Sequence, residues 1–319
     1  MKSFRDIHQV AVVGTGMMGP GIALAMARGG LTVDLYGRSA DSVRRGEANL
    51  KQNCERLVGY ELATQAEVDA ARSRIQLTDN LAAAAGKADL IIESISEDLE
   101  AKRRLFSALC PLCADDTILA TNTSGISITK IAVAVTRPER FVGAHFWNPP
   151  YLMPLVEVIK GEKTSDETMD TAREVIRLAG KRPISVLKDV PGFLGNRLQH
   201  TLYREALALV EHGVASPADV DTMIKYSFSM RMPPLGIFEY MDMVGIDLVQ
   251  SIHDYLFADL DNRTTPSPVT RERVSKGTLG MKTGQGFFTW TPEQVEERKR
   301  KRDDEVVRQL RLGIEENRE

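Results

Sequence analysis

Gly14-Thr15-Gly16-Met17-Met18-Gly19 has the spacing G-x-G-x-x-G and stands between an apolar run, Val10 to Val13, and a helical pattern. In that setting the first glycine permits a tight turn, the second lets backbone approach a pyrophosphate, and the third lets helix and strand pack closely. The loop residues Gly14, Gly16, Met17, Met18 and Gly19, with the free N–H groups of the helix that follows, then meet the phosphates. His145 is one of five histidines and ends a strand pattern, where α/β sheets gather their ligands. An imidazole there exchanges a proton near neutral pH. Glu157 lies on another apolar run, reached through a proline-containing turn. An antiparallel return sets its carboxylate beside the imidazole, fixing the tautomer and stabilising the imidazolium. Ser124 follows the run Ile118 to Thr121 and faces the same crevice, and Asn196 reaches it from the first helix of a second domain.

The tip of the second strand decides which dinucleotide is read. An NAD site usually places an acid about 20 residues beyond the first glycine to hold the ribose 2′-hydroxyl. Here the tip is Tyr36-Gly37-Arg38-Ser39, and Asp34 lies inside the strand pattern, away from it. Arg38 and Ser39 have the chemistry to accept a 2′-phosphate. The residues therefore leave NAD and NADP both open, with Arg38 a cofactor ligand in one case and a solvated loop arginine in the other.

These groups need a frame. Val10 to Val13, Leu31 to Tyr36, Leu90 to Ile92, Ile118 to Thr121 and Phe141 to Ala144 have strand length, with helical patterns such as Gly21 to Arg28 and Leu99 to Leu109 between them. Such alternation predicts βαβ units and a Rossmann-type doubly wound sheet, an α/β fold. Residues Gly46 to Arg72 exceed a simple crossover and predict two helices about Gly59, projecting as a hairpin. A further strand, Leu155 to Ile159, a helix opened by Thr164 and Glu167, and a strand from Pro183 to Leu187 complete a dinucleotide-binding domain over 1–188. After Asp189-Val190-Pro191-Gly192 helical patterns dominate, predicting a mostly α-helical substrate and dimerisation domain over 189–319. Glu296 to Arg311 mixes charge signs as a solvated helix does.

The composition narrows the class. At 319 residues with net charge −3, the chain lacks a basic stripe with interleaved aromatics and any apolar run of bilayer length, so small molecules rather than nucleic acid or membrane are the expected partners. The N-terminal residues do not read as a secretory signal, which makes the cytoplasm the default location. Cys54, Cys110 and Cys113 cannot all pair, and their scarcity fits a reducing compartment. Cys110-x-x-Cys113 lacks the further ligands of a zinc site and the setting of a redox motif, so no metal is expected.

Four segments taken together carry a resemblance. Thr121-Asn122-Thr123-Ser124-Gly125, Ala144-His145-Phe146-Trp147-Asn148-Pro149, Pro154-Leu155-Val156-Glu157-Val158 and Pro191-Gly192-Phe193-Leu194-Gly195-Asn196-Arg197 resemble the L-3-hydroxyacyl-CoA dehydrogenase family in order and spacing. Lys282-Thr283-Gly284-Gln285-Gly286-Phe287-Phe288 resembles its closing motif, so the likeness spans nearly the whole chain. It implies a homodimeric oxidoreductase of fatty acid metabolism. His145 would be general base toward a 3-hydroxyl, with Glu157 its partner, Ser124 and Asn196 on substrate oxygens, and hydride exchanged with the nicotinamide. Glu97, Lys102 and Asn122 match family positions near the cofactor, although Glu97 and Lys102 also read as a surface charge pair on a helix start.

The substrate divides into two readings. Acyl-CoA members typically carry a lysine-rich helix after the second strand, whereas this chain has only Arg44, Arg45, Lys51 and Arg56 there, among Glu47 and Glu55. The segment Asn148 to Glu157 and the Met230-Arg231 pair look more like relatives acting on small acids without CoA, of the L-gulonate, carnitine or pyridine-carboxylate kind, with Arg231 as carboxylate clamp. A non-catalytic crystallin-like role is a third reading, opposed by the intact Ser124, His145, Glu157 and Asn196 set.

Overall fold

The computed structural model describes residues 3–316. The chain divides into two compact units, Met1–Arg197 and Leu198–Glu319. The first is built on eight strands: β1 (Gln9–Val13), β2 (Thr32–Tyr36), β3 (Ile75–Thr78), β4 (Leu90–Glu93), β5 (Ile118–Thr121), β6 (Phe141–Phe146), β7 (Leu155–Ile159) and β8 (Arg182–Val186). Their order in the sheet is β3-β2-β1-β4-β5-β6-β7-β8. Neighbours pair in parallel except β6 and β7, which are antiparallel. β1 and β4 lie side by side while the chain runs from β1 to β2 on one side and from β4 to β5 on the other. That is the topological switch point where doubly wound sheets open a crevice at the carboxyl ends of their strands.

Helices α1 (Gly19–Arg28), α2 (Ala40–Gly59), α3 (Gln65–Arg72), α4 (Leu81–Gly86), α5 (Leu99–Leu109), α6 (Ile128–Ala132) and α7 (Asp166–Leu178) connect these strands. β1, β4 and β5 are apolar and buried nearly throughout, as strands covered on both faces must be. On one side of the sheet Phe106 of α5 meets Phe141 of β6 edge-on, with ring centroids 4.8 Å apart, inside a cluster that also holds Ile91, Leu119, Ile128 and Phe193.

Several elements differ from the sequence expectation. The helix expected from Gly46 begins at Ala40, because Ser39 caps it and Ser42 returns the bond. Gly46 sits inside this continuous helix at a close approach, where a Cβ would lie 2.8 Å from the Thr15 side chain. Nor does the hairpin project: Ser42, Gly46, Leu50, Asn53 and Leu57 form a buried stripe at helical spacing, and α1 packs against both α2 and α3. β3 and α4 are too short and too weakly patterned to read from sequence. β6 extends two residues beyond Ala144, which puts His145 within the strand itself.

The second unit is helical. α8 (Gly195–Glu211) leads into it from the first, and α9 (Pro217–Tyr226), α10 (Ile237–Val244), α11 (Ile246–Leu256), α12 (Pro268–Ser275) and α13 (Pro292–Glu316) follow. Within it Arg263 pairs with both Glu211 and Asp261. α13 is not solvated on every side: Asp303 and Val307 are buried. Cys54, Cys110 and Cys113 are free thiols. Among the described residues no helix is long and apolar enough to cross a membrane.

Candidate active site

The chain leaves β1 through Gly14, whose φ of +125° belongs to glycine. A Cβ on Gly14 would lie 2.3 Å from the Ser94 carbonyl oxygen beyond β4, and one on Gly19 would lie 1.8 Å from the Gly14 carbonyl oxygen. Backbone approach fixes both as glycine. Gly16 is different, because nothing lies within 4 Å of its Cβ position. α1 starts from Met18 with no side-chain cap, so its first N–H groups remain open to an anion, and Met17 beside them is exposed. A tight turn, an open approach and uncapped donors fit a dinucleotide pyrophosphate. Gly16→Val is therefore expected to leave the melting temperature nearly unchanged and to weaken NAD binding at least tenfold by calorimetric titration. Unchanged affinity would mean that the pyrophosphate lies elsewhere.

At the tip of β2, Gly37 leaves no room for an acid. Its Cβ would stand 2.7 Å from Ser42 Oγ and 3.1 Å from Thr15 Cγ2, where the start of α2 meets the glycine loop. Ser39 is committed to its helix: its Oγ accepts from Ser42 N at 3.3 Å, and Ser42 Oγ donates to the Ser39 carbonyl at 2.8 Å. Arg38 is exposed at the same tip. Asp34 is buried, accepts from Gln9 Nε2 at 2.8 Å and pairs with Lys87 Nζ at 2.9 Å, which makes it a carboxylate of the fold.

His145 and Glu157 face each other because β6 and β7 run antiparallel with these two residues in register. His145 Nδ1 lies 2.7 Å from Glu157 Oε2, and both side chains are buried. The other carboxylate oxygen, Oε1, accepts from Leu194 N at 2.9 Å and Gly195 N at 3.0 Å. Burial pushes the Glu157 carboxyl up, but the bonds from His145, Gly195 and Leu194 outweigh it and hold the group below the ordinary carboxylate range. An ionised carboxylate only accepts, so Nδ1 must carry a proton, and in the neutral ring Nε2 then keeps its lone pair. Phe193 and Trp147 wall the ring, with centroids 6.0 and 5.4 Å from it. Gly192 and Phe193 both have positive φ, 76° and 52°. A Cβ on Gly195 would stand 2.1 Å from the Trp147 indole, so this turn is held tightly over the dyad.

Ser124 lies on the exposed loop after β5, and its carbonyl accepts from Asn196 Nδ2 at 2.6 Å. Asn196 lies in the first turn of α8, the helix from which it was expected. The loop rests on a network that sequence reading only partly finds. Glu93, fully buried at the end of β4, accepts from Lys102 Nζ at 2.7 Å, Ile95 N at 2.7 Å and Thr121 Oγ1 at 2.6 Å. Lys102, 1% exposed, also lies 3.4 Å from Glu97, so it is no surface charge. Glu97 in turn accepts from Thr123 Oγ1 at 2.5 Å, Ser124 N at 2.9 Å and Gly125 N at 3.2 Å. Burial raises the Glu97 carboxyl, yet the Thr123 bond, the Lys102 charge and the two backbone donors hold it below the ordinary value. Asn122 Oδ1 accepts from Phe146 N at 2.8 Å, tying the same loop to β6. The missed members, Glu93, Thr121 and Thr123, had one signal: an acid closing an apolar strand nine residues before a lysine. Arg231 lies in the second unit, its guanidinium 4.3 Å from the Tyr240 ring centroid. Among the described residues no group of three or more His, Cys, Asp or Glu could hold a metal ion.

Comparison with known proteins places this arrangement. Residues 9–190 match the 3-hydroxyacyl-CoA dehydrogenase, NAD binding domain, and residues 192–290 match the C-terminal domain of the same enzymes. The chain is 38% identical over 306 residues to a 5-formyl-3-hydroxy-2-methylpyridine 4-carboxylate 5-dehydrogenase of Mesorhizobium japonicum, covering 96% of this chain and 98% of that protein. A solved structure of an enzyme of that name, described as an NAD+ dependent dismutase, superposes with a TM-score of 0.88 at 37% identity, covering 96% of this chain and 98% of that one. The (S)-3-hydroxybutyryl-CoA dehydrogenase of Ralstonia eutropha superposes with a TM-score of 0.76 at 35% identity, covering 89% and 99%. The chain is thus an NAD-binding oxidoreductase, and it belongs to the 3-hydroxyacyl-CoA dehydrogenase family.

Proposed function

We propose that the protein moves a hydride between NAD and the 3-hydroxyl carbon of a 3-hydroxyacyl substrate, with His145 as general base in oxidation and general acid in reduction. The observation that carries this reading is the buried His145–Glu157 pair, whose geometry puts a proton on Nδ1 and, in the neutral ring, leaves Nε2 as the base. NAD, when bound at the glycine loop, supplies the hydride acceptor. His145 Nε2 takes the hydroxyl proton, and Glu157 stabilises the imidazolium that results. The Ser124 hydroxyl and Asn196 amide orient the substrate oxygens, while Glu93 and Lys102 act through Glu97 to hold the Ser124 loop and the cofactor-side Asn122 in place.

A second reading, a small carboxylic acid without CoA, is favoured by two observations. The pyridine-carboxylate dehydrogenase superposes better and over more of the chain than the hydroxybutyryl-CoA enzyme. The basic groups of α2 are largely engaged within the protein: Arg44 with Asp41, Lys51 with Glu55, and Arg56 with the Tyr151 hydroxyl. A reduction and oxidation panel with acetoacetyl-CoA, L-gulonate, carnitine and hydroxymethylpyridine acids, each run with NAD and with NADP, separates the readings. Turnover of acetoacetyl-CoA at the highest kcat/KM supports the first, and preference for a pyridine acid replaces it with the second. Because Gly37 excludes the usual acid and Arg38 stands free at the tip, NADP is expected to support measurable turnover. Turnover with NAD alone would remove Arg38 from the cofactor site.

The same proposal includes a homodimer in the cytoplasm. α9, α10 and α11 bury no residue, and Tyr226, Phe238, Met243, Tyr255 and Phe257 are exposed on or beside them, far more apolar surface than a lone helical unit normally shows. Light scattering should give twice the chain mass; a monomer at micromolar concentration would contradict the dimer.

A further inference from the structure

The first unit contains a cavity lined by cations that the reaction does not use. A cavity of about 190 Å³ opens where the C-terminal ends of α1 and α7 meet α2 and the turn from β6 to β7, and Arg28, Lys181, Tyr151, Leu24, Leu57 and Leu178 line it. That is room for roughly six water molecules. Its inner end is Lys181, 8% exposed, whose Nζ has a single protein acceptor, the Met153 carbonyl at 2.9 Å. Its rim is Arg28, whose guanidinium makes one bond, from Nη2 to the Leu62 carbonyl at 3.2 Å. The Tyr151 hydroxyl accepts from Arg56 Nη1 at 3.1 Å, which leaves its own proton free to donate.

Among the described residues Glu67 is the carboxylate whose charge acts on Arg28, and none pairs with Lys181. Among the described residues no carboxylate forms an ion pair with Arg28 or Lys181. Glu67, the carboxylate that acts on Arg28, is turned into the cap of α3, where it accepts from Thr64 N at 2.7 Å and Thr64 Oγ1 at 2.9 Å. The helix ends do not need the cations either. The last carbonyls of α1 accept from Gly29, Gly30 and Leu31, and those of α7 from Ala179, Gly180 and Lys181. Burial, and then the charge of Arg28, lower the Lys181 ammonium to about 7. A buried cation with one neutral acceptor and a second cation beside it lacks the counter-ion that buried charges normally have.

We propose that this cavity is a site for a small oxyanion, a carboxylate or phosphate group, bound between Lys181 and Arg28 with the Tyr151 hydroxyl as third donor. It is separate from the cofactor loop. The glycine run opens α1 at Gly19 and Arg28 closes it, nine residues later, roughly 14 Å along the helix axis. Occupancy bears on the reaction through the turn that carries Tyr151 and Met153, because this turn joins the strands of His145 and Glu157.

The test uses the whole protein saturated with NAD, so that the glycine loop is filled, at pH 6.5 and constant ionic strength. Phosphate and, separately, malonate are titrated against chloride while the melting temperature is followed. The wild type is expected to gain several degrees with one or both oxyanions over chloride, which also tells phosphate from carboxylate. Lys181→Met and Arg28→Gln should lose that gain. Lys181→Met removes an uncompensated buried cation and should itself melt no lower than the wild type, while Arg28→Lys should keep part of the gain. Equal shifts in wild type and both charge-removing variants, or no gain over chloride in the wild type, would overturn the proposal.

Discussion

His145→Gln is expected to lower kcat by about 10³- to 10⁴-fold, the upper part of the range for a positioned general base, and to leave NAD affinity within about twofold. Glutamine keeps much of the imidazole's volume and its hydrogen bond to Glu157, but it has no nitrogen lone pair that accepts a proton near neutrality. The cofactor should not notice. His145 lies on β6 and the glycine loop follows β1, with β4 and β5 between them, a separation of roughly 14 Å across three strand spacings. Steady-state kinetics with fluorescence titration of NADH checks both halves of the expectation. Retained turnover would take His145 out of its role, and lost NADH binding would mean that the substitution had disturbed the fold.

Glu157→Gln should be nearly as damaging, by a different route. The amide can still accept from Leu194 N and Gly195 N, but its nitrogen can only donate toward His145 Nδ1. That drives the ring proton to Nε2, the atom that must be free, so kcat should fall about 10²- to 10⁴-fold with a small change in KM. Stability should respond to pH in a defined sense. The folded Glu157 carboxyl lies below its ordinary value of 4.5. A depressed folded value contributes stability that is fully present above the unfolded value and is lost as pH falls through the folded one. Chemical denaturation should therefore show the gap between wild type and Glu157→Gln at its widest at neutral pH and closing below about pH 4.5. A gap constant from pH 7 to pH 3 would show that the carboxylate charge does not contribute.

Both residues were readable in the sequence because each carries its own local signal. His145 ends an apolar run, and Glu157 interrupts another after a proline-containing turn. Gly14, Gly16 and Gly19 were equally legible, since their spacing between a strand and a helix is local in the chain, although at Gly14 the approach of the distant Ser94 carbonyl also requires glycine. Glu93, Thr121 and Thr123 were not. Each looks like an ordinary strand-end residue, and only the pairing of β4 with β5 puts Thr121 Oγ1 within 2.6 Å of the Glu93 carboxylate. Lys102 reads from sequence as one half of a surface pair on a helix start, and its burial depends on how α5 lies over the sheet. The course of α2 was misjudged for the same reason: a charged segment looks solvated until the stripe of Leu50, Leu57 and their small neighbours is set against α1.

The sequence by itself determined the glycine loop, the alternating frame and the identity of the dyad, because side-chain type, spacing and strand or helix period are properties of neighbouring residues. The tertiary structure alone decided the rest. The antiparallel pairing of β6 and β7 sets His145 opposite Glu157 and selects its tautomer. The approach of Gly37 to Ser42 and Thr15 leaves no room for a side chain at the tip of β2. The meeting of α1, α7 and the β6–β7 turn buries Lys181 beside Arg28 without a counter-ion. Each of these results from contact between residues remote in the chain, where excluded volume and lost hydration decide what a side chain can do.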